Sequence, residues 1–324
     1  MPIILHLNLS LAALAVEALI SYPPSLYRKI GHPVTWFGDV LTWADRNCNE
    51  ATGAPRDRRR RGVLVMGVLI FGGWLVAMML NKFLETTWIG TAILVVIASS
   101  LLAQRSLFTH VRDVSLALRF GGLADGREAV ARIVGRDVAE LDQAGVARAA
   151  IESLAENFAD GVVAPLFWLV LLGIPGMVAC KIINTADSMI GHRSARYIDF
   201  GWAAARLDDA INFLPARLAA LLYLALAWLR HGGASATATW RIIRRDARLH
   251  RSPNGGWPEA AMAGALGFQL NGPRCYNGTM VSEPVTGDGN FQLAARDIDH
   301  ALDFYIDGCV LLGAVIAALA FLPG

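Results

Sequence analysis

The chain has 324 residues, of which 55% are hydrophobic and only 17% are charged, and its formal net charge is +2. Soluble domains carry roughly 25% charged residues, so this composition excludes an ordinary soluble domain and favours a membrane protein. The near-neutral charge offers no support for a protein that binds nucleic acid. Because the sequence has no internal repeat and no long low-complexity linker, we predict a single membrane-embedded domain over residues 1–324.

Apolar runs are spaced along the whole chain. Those that approach the ~20 residues needed to cross a bilayer are residues 63–80, 88–103, 162–180, 213–229 and 308–322. An earlier run, residues 3–20, is weaker because Asn8 and Glu17 interrupt it, and it lacks the basic start of a secretory signal. We predict that it is a retained helix, in an all-α, polytopic integral membrane protein with large polar helical loops.

Polar connections separate these runs at about residues 21–62, 104–160 and 230–307. In the second, apolar residues recur at three- and four-residue intervals, which predicts helices over residues 128–134 and 139–159. The third begins with an arginine-rich helix over residues 240–251 and ends in an acidic helix over residues 294–307.

The topology depends on a basic block at residues 56–61, which directly precedes a spanning run. Such a block marks a cytoplasmic flank and is suited to contact with anionic headgroups. A full crossing at residues 162–180 would then place the acidic segment 184–212 on the opposite side. Proline and glycine interrupt that run, at Pro165, Gly173, Pro175 and Gly176. A re-entrant segment would instead bring the acidic motifs to one side, and both topologies stay open.

The first acidic motif is Glu152, Glu156 and Asp160, whose four-residue spacing stacks them on one helical face. Like charges at this spacing repel, so solvent, an arginine or a divalent cation must compensate. Arg148 lies one turn earlier on the same face and is one candidate. A solvated helix flank is the alternative to a metal site here.

The second acidic motif follows the apolar run at residues 162–180. Asn184 and Asp187 lie one and two turns after Lys181, and oxygen ligands of this kind suit Mg²⁺. A lysine inside an apolar segment is a candidate for contact with an anion. Intramembrane ionisable residues are functional-site candidates by default.

The third acidic motif is Asp208-Asp209, with Asn212 one turn later. We predict that the pair opens a helix, where it would either bind a metal or stabilise the helix dipole. Arg206 and Arg217 flank the pair and are suited to holding a phosphate or a carboxylate bidentately. Snorkelling to lipid headgroups is the alternative for both arginines.

Several weaker features complete the analysis. Residues 135–137 form a compact polar turn, in which we predict Asp137 as the N-cap of the following helix. His110 is a candidate acid or base, although a lone histidine is more often structural. Residues 252–259 are typical of a capped turn at a helix start, with Glu259 in the first turn, and such an end can also bind an anion.

Taken in order, the motifs of this chain resemble one known family. They are Arg105-Ser106-Leu107 with His110, Ile133 to Asp137, Glu152 to Trp168, Lys181 to Gly191, Ala204 to Asn212, Pro215-Ala216-Arg217, and Ser252 to Gly267. The series is similar to the adenosylcobinamide-phosphate synthases, the CobD/CbiB membrane proteins of cobalamin biosynthesis. The resemblance covers nearly the whole chain and is densest between Arg105 and Arg217.

The resemblance implies an ATP- and Mg²⁺-dependent ligase that forms an amide. It would join adenosylcobyric acid, through its free propionate, to (R)-1-amino-2-propanol or to its O-phosphate. It also implies a multi-pass protein of the bacterial inner membrane with its chemistry on the cytoplasmic side. The resemblance also implies the lipid bilayer as a partner. It leaves open whether the protein forms a homo-oligomer or joins a larger corrinoid-pathway assembly.

We assign site roles on these motifs as predictions. The catalytic candidates are Glu152, Lys181 and His110, with Glu152 or His110 as the base. The candidates for binding ATP are Arg136, Arg206, Arg217, Asn157 and Asn184. The metal candidates are Asp160, Asp187 and Asp208, with Glu156 and Asp209 in support.

The chain departs from the family pattern at three positions. Tyr22 and Gly122 stand where the family carries an acid, and Val138 stands where it carries a hydroxyl, so no acid or hydroxyl role is assigned there.

Two other classes of protein compete with the ligase. An intramembrane prenyltransferase also uses two Asp/Asn-rich motifs to hold Mg²⁺ and a diphosphate, but it needs no ATP. An ion-coupled transporter would use the broken helix and buried acids as a substrate pathway, and the missing inverted repeat counts against it.

Overall fold

The computed structural model describes residues 2–20, 28–29, 31–50, 52–276 and 278–321, so the departure at Tyr22 lies outside the described residues. The helices are α1 (Pro2–Leu19), α2 (Pro33–Cys48), α3 (Pro55–Leu84), α4 (Trp88–Ser100), α5 (Gln104–Phe120), α6 (Gly122–Val130), α7 (Gln143–Phe158), α8 (Ala164–Ile190), α9 (Trp202–Ile211), α10 (Phe213–Asp246), α11 (Gly256–Leu266) and α12 (Ala295–Phe321). A π-helical turn, Ala159–Val163, joins α7 to α8, and a 3₁₀ turn, Ala247–Leu249, follows α10.

Within the described residues, five helical segments are long and apolar enough to cross a membrane. They are Pro55–Leu84, Trp88–Phe120, Gln143–Ile190, Phe213–Leu249 and Ala295–Phe321. Four of them contain a whole apolar run and the fifth contains the last run up to residue 321, and the predicted all-α, polytopic membrane fold is confirmed. The short strands β1 (Leu270–Asn271), β2 (Arg274–Tyr276), β3 (Thr279–Val281) and β4 (Val285–Thr286) form two antiparallel pairs, β1 with β4 and β2 with β3.

The start of α7 differs from the prediction. Asp142, and not Asp137, caps this helix, because the Asp142 Oδ1 atom accepts a hydrogen bond from the Gly145 backbone N–H at 2.6 Å. Asp137 instead accepts from the Gly278 backbone N–H at 2.8 Å. The prediction of Asp137 as N-cap was wrong because the chain continues as turns up to Asp142 before the helix begins.

We expect Asp142→Ala to lower the free energy of unfolding by about 1 kcal/mol, since the first turn of α7 would lose its side-chain acceptor. Thermal unfolding of the purified protein in detergent would measure this loss. Asp142→Asn keeps an acceptor oxygen and serves as the matched control. Equal stability of the Ala and Asn variants would contradict the capping role.

The chain forms two compact units. Unit 1 comprises Met1–Ala103, Ala164–Asn212 and Ile316–Gly324, and unit 2 comprises Gln104–Val163 and Phe213–Val315. The single membrane-embedded domain stays a prediction.

The core of unit 1 is built on α3, α8 and α9. Its largest buried side chains include Leu41, Met66 and Phe200. Gly62 of α3 lies directly against Phe200, because a Cβ atom at Gly62 would meet the Phe200 carbonyl oxygen at 2.0 Å. No side chain fits there, which explains a glycine inside a long helix.

A kink in α8 marks the interrupted apolar run. Gly173 has φ +69°, a left-handed conformation that favours glycine, and Pro175 follows it. The Val170 carbonyl lies within hydrogen-bond distance of His6 Nδ1, at 3.1 Å. Because the kink interrupts the helical ladder, the His6 side chain supplies a partner for a carbonyl next to it. The helix bends at Gly173 and then continues to Ile190.

A polar network fixes α2 and α3 to the segment after α8. Asp45 Oδ2 accepts a hydrogen bond from Arg196 Nη2 at 2.7 Å, and Asp45 Oδ1 accepts one from Asn49 Nδ2 at 2.7 Å. Burial raises the pKa of Asp45, but the hydrogen bonds from Arg196 and Asn49 outweigh it, so that the pKa lies below its ordinary value. Arg58, buried at the start of α3, donates to Asn49 Oδ1 at 3.0 Å and to the Arg196 carbonyl.

Aromatic side chains form the core of unit 2. Phe158 of α7 stacks on Tyr223 of α10 with ring centroids 4.7 Å apart, and it contacts Tyr305 of α12 edge-on at 5.7 Å. The Tyr305 hydroxyl donates to the Gln104 carbonyl at 2.8 Å. These contacts place the π-helical turn and the acidic face of α7 next to a rigid apolar support.

Candidate functional site

The first candidate site lies in unit 1 and is centred on Asp208. Its Oδ1 atom accepts hydrogen bonds from Asn184 Nδ2 at 3.3 Å and from Asn212 Nδ2 at 3.0 Å. The structure therefore brings together the second and third acidic motifs, as the sequence suggested. Asn184 comes from α8, and Asn212 caps the C-terminus of α9.

One expectation about this motif was wrong. Asp208 and Asp209 do not open a helix, because α9 begins at Trp202 and ends at Ile211. Carboxylates in the last turn of a helix face the negative end of its dipole, which is unfavourable. The helix dipole therefore does not stabilise the charges of these two carboxylates. Another source of positive charge must stabilise them.

The electrostatics of Asp208 suit a cation. Burial raises the pKa of Asp208 to about 7, and the charge of the nearby Asp187 contributes in the same direction against the two amide hydrogen bonds. Asn212 Oδ1 is buried and has no hydrogen-bond partner among the described residues. Two carboxylates and an unpartnered amide oxygen are the ligands that Mg²⁺ accepts, with water and phosphate oxygens for the remainder.

Two basic side chains lie on the helices that carry this site, Arg206 on α9 and Lys181 on α8. Arg206 Nη1 forms an ion pair with Asp209 Oδ2 at 3.3 Å on the exposed side of α9. Lys181 is buried in α8, and its charge acts on His32 at the N-terminus of α2. Burial lowers the pKa of His32, and Lys181 lowers it further, although a hydrogen bond involving Ser100 opposes them. His32 and Lys181 are thus close enough for the charge of one to act on the other.

The second candidate site lies in unit 2 and is centred on Glu152. This buried carboxylate accepts from Arg136 Nη2 at 2.8 Å and from Arg274 Nη2 at 3.1 Å. The Asn271 backbone N–H donates to its other oxygen at 2.6 Å. Two guanidinium groups and a backbone donor hold Glu152 in its ionised, acceptor-only form.

Glu259 of α11 extends this buried cluster. Asn271 Nδ2 donates to Glu259 Oε2 at 2.7 Å, and His250 Nε2 lies 3.6 Å from the same oxygen. Burial raises the pKa of Glu259 to about 7; His250 opposes this, whereas the charges of Glu156 and Glu152 add to it. The charges of Glu152, Glu156 and Glu259 therefore influence one another, and Glu152 and Glu259 are buried.

The remaining residues of the first acidic motif have different surroundings. Glu156 lies against the turn before α11, because a Cβ atom at Gly255 would meet its Oε1 atom at 3.0 Å. Asn157 is exposed and donates to the Ser153 carbonyl at 2.9 Å. Asp160 lies in the π-helical turn, so the regular α-helical spacing of this motif ends two residues before it, at Phe158. His110 is exposed on α5.

Arg217 positions the turn at residues 252–257. Its guanidinium donates to Asn254 Oδ1 at 2.7 Å and to the Pro253 carbonyl at 3.1 Å, and it covers the Trp257 ring at 4.5 Å. The Ser252 hydroxyl oxygen accepts from the Gly255 backbone N–H at 3.1 Å, which shapes the start of α11. The turn was predicted, and Glu259 lies in the first turn of α11 as expected.

Two members of the Glu152 site, Arg274 and Asn271, were not predicted from the sequence. Arg274 also lies near Glu283, with its Nε atom 3.2 Å from Glu283 Oε2. A single arginine in a short strand leaves no periodic pattern in the sequence. Its place directly after Gly272 and Pro273 is the one sign that could have marked Arg274.

No three His, Cys, Asp or Glu side chains converge closely enough to hold a metal ion by themselves anywhere in the described ranges. A site that combines one or two carboxylates with amide and phosphate oxygens is compatible with this geometry. The individual metal and catalytic roles stay predictions.

Comparison with known proteins addresses the family. The model of the CobD/CbiB protein family matches residues 10–305. The chain is 46% identical over 310 residues to the cobalamin biosynthesis protein CobD of Rhizobium meliloti (strain 1021), covering 95% of each protein. It is 48% identical over 312 residues to the protein of the same name in Brucella suis biovar 1 (strain 1330), covering 94% of each. No solved structure matches the chain. The chain belongs to the CobD/CbiB family.

Proposed function

We propose that this protein is an ATP-dependent amide ligase of cobalamin biosynthesis. It joins adenosylcobyric acid, through a propionate, to (R)-1-amino-2-propanol or its O-phosphate, and the product is adenosylcobinamide or its phosphate. Family membership supports a role in the pathway. The observation that carries the chemistry is the Asp208 site, where the charges of two acids interact next to a buried, unpartnered amide oxygen.

The chemical demand explains why such a site is needed. A propionate is a poor electrophile, so one of its oxygens must first attack the γ-phosphorus of ATP, and ADP leaves. The amine nitrogen then attacks the carbonyl carbon, the C–O bond to phosphate breaks, and inorganic phosphate leaves. The amine loses a proton to a base in this second step.

The Asp208 site fits a magnesium ion by its donor chemistry. Asp208 and Asp187 are the first ligands that we propose, and Asn184 and Asn212 orient Asp208 through their amide groups. When bound, Mg²⁺ neutralises charge on the phosphate oxygens. We retain Asp160, with Glu156 and Asp209 in support, as further metal candidates from the sequence.

Cationic side chains are proposed to hold the phosphates. Arg206 pairs with Asp209 next to Asp208, and Lys181 lies about one turn before Asn184 on α8, so both are suited to contact with a transferring phosphoryl group. Arg136 keeps a buried Nε–H without a partner among the described residues, which leaves it one donor for an anion. Arg217, Asn157 and Asn184 remain candidates for binding ATP.

The proposed base is Glu152 or His110. Glu152 already pairs with two arginines, which compete with an incoming amine for the same carboxylate oxygen. His110 is exposed and therefore accessible to a substrate. We propose the cytoplasmic side of the bacterial inner membrane as the location, since ATP and the corrinoid are found there.

The test is an assay of the purified protein in detergent with adenosylcobyric acid and Mg·ATP. Aminopropanol and aminopropanol phosphate are supplied in separate reactions, and the corrinoid is followed by mass spectrometry. We expect an ATP-dependent mass gain of one amide with one of the two amines. No product with either amine, from protein shown to be folded, would contradict the proposal and favour a prenyltransferase or a transporter.

A further inference from the structure

A basic surface lies at the start of α3 in unit 1, and the proposed ligase chemistry does not use it. Arg56, Arg59 and Arg60 are exposed and line a concavity of about 510 Å³ together with Val63 and Leu64. We call these three arginines the basic face.

The charges of the basic face are not compensated from within the protein. In the part of the chain that the structure describes, none of its three guanidinium groups forms an ion pair with a carboxylate. The neighbouring arginines differ, since Arg61 pairs with Glu50 at 3.1 Å and Arg58 is buried in the Asp45 network. Arg59 lies over the Trp202 ring at 3.5 Å, which orients the basic face.

An apolar groove of about 680 Å³ begins where the basic face ends, and the two share Val63. On α3 the groove is lined by Val63, Met66, Gly67, Ile70, Phe71 and Trp74. Residues 56, 60, 63, 67, 71 and 74 fall on one face of the helix by their three- and four-residue spacing. Gly67 faces the open space of the groove, because a Cβ atom there would have no neighbour within 4 Å.

The dimensions of the groove suit one acyl chain. Trp74 lies eleven residues after Val63, which is a rise of about 16 Å at ~1.5 Å per residue. Half of the ~30 Å hydrocarbon core of a bilayer is about 15 Å. Next to the groove, α3 packs closely on the segment before α9 through the contact of Gly62 with Phe200.

We propose that this surface is a binding site for one anionic glycerophospholipid. The basic face binds the headgroup phosphate, and the groove binds an acyl chain of the same molecule. A zwitterionic lipid fits the groove equally well but carries a cation that the three arginines repel. The basic block is thus a lipid site in addition to a signal of orientation.

The test measures the thermal stability of the full-length protein in mild detergent during titration with phosphatidylglycerol. Phosphatidylcholine with the same acyl chains is the reference lipid, and native mass spectrometry counts the lipids that stay bound. We expect phosphatidylglycerol to stabilise the protein at a lower concentration than phosphatidylcholine. In Arg56→Gln/Arg60→Gln we expect the apparent affinity for phosphatidylglycerol to fall about 30-fold, equivalent to about 2 kcal/mol.

Two further variants separate charge from shape. Arg132→Gln/Arg296→Gln removes the same charge from exposed positions of unit 2 and should keep the wild-type lipid preference. Gly67→Phe keeps every charge but fills the groove. We therefore expect native mass spectrometry to find no phosphatidylglycerol bound to this variant. An equal loss of preference in both arginine double variants would overturn the proposal. Equal stabilisation by inorganic phosphate would also overturn it, since the acyl chain would then be irrelevant.

Discussion

Asp208→Asn should lose at least about 100-fold of the amide-forming activity while the protein stays folded. Asp208 is the residue on which the Asn184 and Asn212 amides and the charge of Asp187 converge. Removing its charge removes the central proposed ligand for Mg²⁺, and losses of this size follow even from changes to the partners of metal ligands. Initial rates at a series of Mg²⁺ concentrations, with saturating ATP, measure the effect.

Stability should move in the opposite direction. Asparagine has the same shape, and its Oδ1 atom can still accept the two amide hydrogen bonds, but it no longer repels Asp187. We therefore expect an unfolding temperature equal to or above that of the wild type. A functional site commonly retains such unfavourable charge, so that its loss stabilises the fold and impairs the activity.

Asp39→Asn is the matched control, because Asp39 is an exposed carboxylate of the same unit. We expect it to keep both activity and Mg²⁺ dependence. An Asp208→Asn protein with wild-type rates at every Mg²⁺ concentration would remove Asp208 from the metal site. Its failure to fold would contradict the argument from charge.

The spanning segments could be predicted because their signal is local. Each apolar run depends on its own residues, and the described part of each lies within a candidate span of the structure. Helix starts were harder, since the choice between Asp137 and Asp142 as N-cap depends on which backbone N–H the side chain reaches. The kink at Gly173 was indicated by glycine and proline, whereas the support from His6 comes from a distant part of the chain.

The members of the candidate sites could likewise be predicted only where their signal in the sequence is local. Asn184, Asp187 and Asp208 could be grouped because each is an oxygen ligand in a short polar motif next to an apolar run. The partners of Glu152 could not, because Arg136 and Arg274 reach it from positions 16 and 122 residues away. Long-range pairing of buried charges leaves no periodic pattern in a single sequence.

Glu152→Gln should destabilise the protein by about 3 kcal/mol or more. The variant keeps the size of the side chain but leaves Arg136 and Arg274 without their shared buried carboxylate. Breaking a buried ion pair by neutralising one partner typically costs 3–5 kcal/mol, because the remaining charge is uncompensated. Arg274 retains Glu283 as a neighbour at 3.2 Å, so Arg136 should carry most of the loss. Thermal and denaturant unfolding in mild detergent measure the change.

A double-mutant cycle between Glu152→Gln and Arg136→Met isolates this pair, and we expect a coupling free energy of about 1–3 kcal/mol. Glu128→Gln is the matched control, since Glu128 pairs with Arg132 at 2.7 Å on the exposed surface of the same unit. That variant should change the free energy of unfolding by no more than about 0.5 kcal/mol. If Glu152→Gln were as stable as the control but inactive, the carboxylate would act as the base and not as the anchor of the two arginines. If it were unstable and its folded fraction kept a normal rate, His110 would become the stronger candidate for the base.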